Sequence, residues 1–214
     1  MKTREAIYQR RSIRAFLPEP VAKKTLLQVV DAAIQAPSAR NLQPWHFVVV
    51  SGPARQRLSQ RLLKQYDEEV AQGLISPPLE LPEPYQSRMN CFLSDLQAHY
   101  QGPLPFDLMR GSLNFYGAPA VILATLDECL WPDRLFDMGA AVQNLLLMAQ
   151  ALGLGTCVIG IAIRYKHLIR EELQLPASLN PVMTIAVGKP DPAHPLATFH
   201  PGRLNVAECL TWLE

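Results

Sequence analysis

Between Asp133 and Leu152 the chain carries Leu135, Met138, Ala141, Val142, Leu145, Leu146, Met148 and Ala149, so a helix built here is apolar on nearly every side. Such a helix has too little polar surface to lie on the outside of a lone domain and has to sit centrally. A bilayer is the alternative home for an apolar helix, and the apolar stretch does run on from Met138 to Ile163. Gln143, Asn144, Gln150 and several glycines interrupt it, however, and a span needs about 20 predominantly apolar residues. The reading is a buried helix followed by a glycine-rich exit, "GLGTCVIGIAI", with Gly153 as the residue that stops the helix.

The elements around it are short. Thr3 is placed to cap a helix that ends near Arg10, and a second helix, from about Ala22 to Gln35, has a broad apolar face made by Leu26, Leu27, Val29, Val30, Ala33 and Ile34. "HFVVVS", residues 46–51, reads as a buried strand. The helix after Pro53 shows Leu58, Leu62, Leu63, Tyr66 and Val70 at helical spacing. Four prolines between Pro77 and Pro84 forbid a helix interior there and suggest an arm or the stem of a lid. Further helices are expected over 86–99, 106–115 and 165–173, and strands over 118–126 and in "PVMTIAVG". Three or four strands among about six helices, without regular βαβ alternation, indicate an α+β fold with a mostly antiparallel or mixed sheet. The expected organisation is one domain over residues 1–214 with an excursion at 73–115.

With Lys+Arg 20 against Asp+Glu 19, net charge +1, nothing draws the whole molecule toward nucleic acid or an anionic bilayer. The N-terminus has charges where a signal peptide needs an apolar core, so a cytoplasmic location is expected. Cys91, Cys129, Cys157 and Cys209 are far apart and the five histidines lack ligand spacing, so no metal site is expected. "GLGTCVIG" contains part of a dinucleotide fingerprint, but its glycines follow a helix instead of opening one.

Two stretches stand out against this neutral background. Arg10, Arg11 and Arg14 surround Ser12. They are either a solvated helix end, where cations favour the dipole, or the forked donors of a phosphate site, with Arg203 of "HPGRLN" as a further cation. The loop "PSARNLQPW" gathers Ser38, Arg40, Asn41 and Gln43 at the lip of a strand. It either only turns the chain or presents amides and hydroxyls to a flat heteroaromatic with polar edges.

In this order, "QRRSIRAF", "APSARNLQPWHFVVV", "APAVILATLD", "DMGAAVQNLLLMAQALGLGTC", "LIREELQLP" and "VMTIAVGKPD" resemble the FMN-dependent nitroreductase family, over most of the chain from about Thr3 to Asp191. The resemblance implies an obligate α+β homodimer with FMN at the subunit interface and no nucleic-acid or membrane partner. By position, Arg10, Arg11, Ser12, Arg14 and Arg203 would hold the phosphate and ribityl chain. Pro37, Ser38, Ala39 and Asn41, with Gln43, would reach the flavin of the other protomer. Val158, Ile159, Gly160 and Ile161 would run along the ring, with a backbone N–H of Gly160 or Ile161 near N5.

The implied activity is ping-pong transfer of two electrons from NAD(P)H to a nitroaromatic or quinone, with no side-chain acid or base required. Arg10 or Arg14 would stabilise the reduced ring at its N1 edge. The segment 73–115 would wall the ring, and Tyr85, Phe92, Tyr100 and Phe106 are either stackers there or packing residues. Another flavin reaction on the same fold, such as dehalogenation, dehydrogenation or flavin fragmentation, and non-catalytic flavin binding are the alternatives.

Overall fold

The computed structural model describes residues 1–75, 80–104 and 107–214. Its frame is a four-stranded sheet, β1 (Trp45–Ser51), β2 (Ala120–Asp127), β3 (Gly155–Ile159) and β4 (Leu179–Gly188), in the order β1-β2-β4-β3. All three strand pairs are antiparallel. Among the described residues the one parallel pairing is an isolated bridge between Ser12 and Thr156 at the outer edge of β3.

The central strand β2 is apolar without alternation because both its faces are covered. Val121 and Leu123 point into one core with Leu58, Leu62, Phe115, Cys157 and Ile169, whereas Ala120, Ile122 and Ala124 point into a second with Leu26, Val29, Met138 and Leu145. The first core lies under α3 (Gly52–Ala71), α5 (Leu108–Leu113) and α7 (Lys166–Glu172); the second lies under α2 (Lys23–Ala33) and α6 (Leu135–Ala151). A smaller third cluster joins Ile13 and Ala15 to Leu96 of α4 (Tyr85–Tyr100) and to Leu196 and Ala197 of α8 (Pro195–Thr198). The short α1 (Thr3–Gln9) packs on α6.

Four expectations change in detail. β1 is an edge strand, not a buried one: within it only Val50 is buried and Val49 is 42% exposed, because among the described residues no strand pairs with its outer edge. The broad apolar face of α2 divides, with Leu26, Val29 and Ala33 on the core while Leu27 and Ile34 stay exposed. Thr3 is the first helical residue of α1 and not its cap; the Glu5 carboxylate accepts from the Lys2 N–H at 2.9 Å instead. The central helix α6 is buried along Met138, Ala141, Leu145, Leu146 and Ala149, but its other flank is open, and Phe136 is 85% exposed. Gly153 does stop α6, at φ +75. Of the proline-rich stretch, Pro77 and Pro78 lie outside the described residues, as does Phe106, and Pro84 stands directly before α4.

Candidate active site

Two glycines let the arginine segment lie on the sheet. A methyl group on Gly155 would stand 2.6 Å from Ile13 Cγ1 and 3.0 Å from Pro190 Cγ, and one on Gly188 would stand 2.6 Å from Pro119 Cδ and 3.0 Å from Phe16 Cδ1. With no side chain at either place, Ile13 donates its N–H to the Thr156 carbonyl at 2.8 Å and Leu17 donates to that of Lys189 at 2.9 Å. Residues 10–17 are thereby laid along the sheet edge, two residues from Val158.

The four arginines separate into two groups. Arg10 follows α1 as its C-cap, with its N–H on the Ala6 carbonyl, where the helix dipole favours a cation. Arg11 ties this junction to the C-terminal segment: its Nε donates to the Ala197 carbonyl at 3.2 Å and its Nη1 lies 3.4 Å from His200 Nε2. That tie brings Arg203 back to Arg10, and desolvation together with the Arg203 charge lowers the Arg10 pKa. His200 belongs to the same group; desolvation first, then Arg11 and Arg203, push its pKa down, against the backbone groups of Gln9 and Thr198. Among the described residues, none of Arg10, Arg11, Arg14 and Arg203 is in an ion pair with a carboxylate. Mutually repelling cations without a counter-charge are what a phosphate dianion would complete.

Arg14 turns elsewhere. Its guanidinium lies over the Phe92 ring, 5.4 Å from the centroid, and lines a cavity of about 430 Å³ with Arg110, Asn114, Tyr116, Asp191 and His194. Ser12 faces Cys157, whose thiol burial pushes up against the opposing effects of Arg14 and Ser12. Tyr116, its hydroxyl 2.9 Å from that of Ser112, is also raised by burial and opposed by Ser112 and Arg14. Phe115 and Tyr116 both have positive φ, and Arg55 donates to the Asn114 carbonyl just before them. Of the expected stackers, Phe92 packs edge-on against Phe199 at 5.9 Å and Tyr100 meets His194 at 6.1 Å, while Tyr85 is exposed beneath Arg88. Phe92 and Tyr100 are partly buried and packed against the third cluster.

At the exit of β3, Thr184 Oγ1 donates to the Ile159 carbonyl at 2.8 Å and pins the strand end. The chain then enters a 3-10 turn, Ile161–Tyr165. The N–H groups of Gly160 and Ile161, first after the strand, donate to no acceptor among the described residues. Gly160 has an ordinary φ of −83, and a methyl group there would meet only Met183 Sδ at 3.7 Å. A side chain is therefore tolerated at this position, and the backbone donors do not depend on glycine.

The remaining predicted residues lie at the opposite corner. Pro37 is exposed, and a 3-10 turn, Ala39–Asn41, follows Ser38, whose Oγ accepts the Gln43 N–H at 2.9 Å; the Ala39 N–H is held by Asp137 Oδ2 at 3.3 Å. Arg40, Asn41 and Gln43 have positive φ, which costs roughly 1 kcal/mol or more for a residue other than glycine or asparagine. The register places Thr156 opposite Val187, Ala120 and Ser51 in turn, with Trp45 six residues further along β1. Three strand spacings and that length of strand put Trp45, which follows the loop, roughly 24 Å from Thr156, which Ser12 bridges. One molecule therefore brings Arg10, Arg11 and Arg203 together, on a segment that Ser12 bridges to β3 ahead of residues 158–161, and holds Pro37, Ser38, Ala39, Asn41 and Gln43 at the far end of β1.

Sequence reasoning passed over Asp137, His200, Asn114 and Tyr116. Asp137 is the only charged residue of α6, which was the available signal; the others become visible only when distant segments meet. Among the described residues no cluster of three or more His, Cys, Asp or Glu side chains is placed to hold a metal ion, and no helix is long and apolar enough to cross a membrane.

The sequence profile of the Nitroreductase family matches residues 7–189. A 4-nitrobenzoate reductase of Nocardioides sp. (strain LMS-CY) is 30% identical over 214 residues, covering 95% of this chain and 87% of that protein. The chain is also similar to the crystal structure of the FMN-dependent nitroreductase NfnB from Mycobacterium smegmatis in complex with NADPH, with TM-score 0.84, 31% identity and 99% and 97% of the two chains covered. The FMN and NADPH-dependent nitroreductase NfnB from Sphigopyxis sp. strain HMH gives TM-score 0.90 at 25% identity, covering 100% of both chains.

Proposed function

Because this chain belongs to the nitroreductase family, we propose that it is an FMN-dependent NAD(P)H oxidoreductase that reduces nitroaromatics or quinones by a two-electron, ping-pong mechanism. FMN, when bound, supplies the chemistry: it takes a hydride from NAD(P)H and gives two electrons to the acceptor. The observation that carries the reading is the convergence of Arg10, Arg11 and Arg203 from the two ends of the chain, with no carboxylate partner among the described residues, on a segment that Ser12 bridges to β3, the strand followed by the N–H groups of Gly160 and Ile161, unpartnered among the described residues. The arginines fit a phosphate dianion, and the two N–H groups fit the polar edge of a flat ring.

Arg10, Arg11 and Arg203 would anchor the phosphate, with Ser12 at the ribityl side. Val158, Ile159, Gly160 and Ile161 would run beneath the ring, where a main-chain donor tolerates changes of side chain. Arg14, directed into the cavity with Asn114 and Tyr116, would face the N1/C2=O edge and hold negative charge there without moving a proton. Pro37, Ser38, Ala39 and Asn41 would come from a second copy, since their own cluster is too distant. A homodimer would also cover the open flank of α6 around Phe136, and α2 at Leu27 and Ile34.

The test is steady-state kinetics with NADPH and a nitroaromatic acid as the varied pair. Parallel double-reciprocal lines and FMN-dependent turnover are expected. Intersecting lines would reject the ping-pong cycle, and NADPH consumption unaffected by any nitro compound or quinone would reject the assigned activity.

A further inference from the structure

We propose that Asp137 is a positioning residue for the cofactor site: from the first turn of α6 its carboxylate holds the loop 38–43 in the shape that reaches the flavin ring of a second copy. The inference rests on the flavin reading above. Asp137 is 6% exposed, and its Oδ2 accepts the Ala39 N–H at 3.3 Å with Arg134 Nη1 at 3.9 Å. A buried carboxylate is costly unless it is used, and an apolar side chain would extend the face formed by Met138 and Ala141 without that cost. Its position on α6 is therefore explained by the N–H it captures.

The loop needs such a hold. Arg40, Asn41, Leu42 and Gln43 are all exposed, so no core contact fixes them, and three of the four have left-handed backbone. Among the described residues, two bonds from side chains stabilise that shape: Ser38 Oγ accepts the Gln43 N–H, and Asp137 Oδ2 accepts the Ala39 N–H. The first closes the loop on itself. The second alone ties it to the helix layer, and so sets where it points. Arg134 approaches the same oxygen, its Nη1 3.9 Å from Oδ2, and balances part of the carboxylate charge.

Phosphate and ring contacts can be told apart with two ligands. Apo-protein is titrated with FMN and with riboflavin, which lacks the phosphate, by quenching of flavin fluorescence. D137A is expected to weaken both by the same factor, about tenfold for a lost hydrogen bond to a charged acceptor. D137N keeps an oxygen toward Ala39 and is expected to stay within about threefold of the wild type. S38A, which loosens the same loop from its other side, should repeat the D137A pattern if D137A fails to fold. R203A should weaken FMN alone.

The inference is overturned if D137A leaves both affinities unchanged, if its loss is confined to FMN, or if D137N loses as much as D137A. It is also overturned if the loss accompanies dissociation to monomers in sedimentation. A wild-type protein that binds neither flavin would instead overturn the flavin reading itself.

Discussion

Replacing Gly155 by alanine tests whether the arginine segment is held by close contact with β3. The new methyl would stand 2.6 Å from Ile13 Cγ1, 3.0 Å from Ile13 Cβ and 3.0 Å from Pro190 Cγ, so it meets a branched side chain next to its backbone and a proline ring, neither of which can swing away. Ile13 is also buried against Leu96 and Phe199 on its other side. The segment must move off the strand, which strains the packing by about 1–3 kcal/mol and breaks the Ile13 N–H to Thr156 carbonyl bond, worth about 1 kcal/mol.

A loss of roughly 2–4 kcal/mol corresponds to a urea midpoint lower by about 1 M. Because Arg10, Arg11 and Ser12 ride on the same segment, FMN affinity should fall as well, by at least tenfold. The assay is urea unfolding of the apo-protein at fixed protomer concentration, with FMN titration of the folded variant. G160A is the control for stability: its methyl meets only Met183, Sδ at an unstrained 3.7 Å and Cε at 3.8 Å, so its urea midpoint should stay near wild type. A G155A variant with wild-type midpoint and wild-type FMN affinity would refute the reasoning.

His200 supplies a pH prediction. Its folded pKa lies below the unfolded value, so the unfolded chain binds more protons near that range, and the apo-protein should lose stability as pH falls from above 6.5 through the folded pKa. Thermal melts of H200N should show less of that decline, and FMN should suppress it in the wild type. Tyr66 is pushed up to about 12, chiefly by its hydrogen bond to Asp107, and Tyr165 to about 12 by burial and Glu69. Their raised values contribute stability that is fully present below about pH 10 and lost as pH rises through 12, so Y66F should flatten the alkaline fall in Tm. Cys91, Cys129 and Cys209 are exposed and Cys157 is buried, so mass spectrometry after maleimide treatment of the native protein should find Cys157 unmodified until denaturant is added.

What the sequence made legible follows physical range. Helices α3 and α6 announced themselves because their apolar residues recur at helical spacing, and β2 because both its faces are covered. The edge position of β1 was not legible, since "HFVVV" carries the same β-branched residues whether or not a neighbour covers it. The divided face of α2 was hidden for a related reason: Leu27 and Ile34 continue the same apolar pattern although they stay exposed.

Within the site, the proximity of Arg203 to Arg10 was readable from chemistry, as two cations that want one anion. Its cause, the bonds from Arg11 to Ala197 and His200, joins residues almost a chain length apart and leaves no local pattern. The need for Gly155 was likewise invisible, because a glycine required by a neighbour's approach looks the same in sequence as one that ends a helix. The departure of Arg14 toward Phe92 and Tyr116 separates in space residues that the sequence presents as one run.

The most direct measurement is the visible spectrum of the purified protein supplied with FMN, recorded anaerobically before and after NADPH and again after a nitroaromatic acid. Protein-bound flavin bands that bleach with NADPH and return in stoichiometric amount with the acceptor are what this account predicts. A protein that takes up no FMN, or whose bound flavin stays oxidised in NADPH, would contradict it.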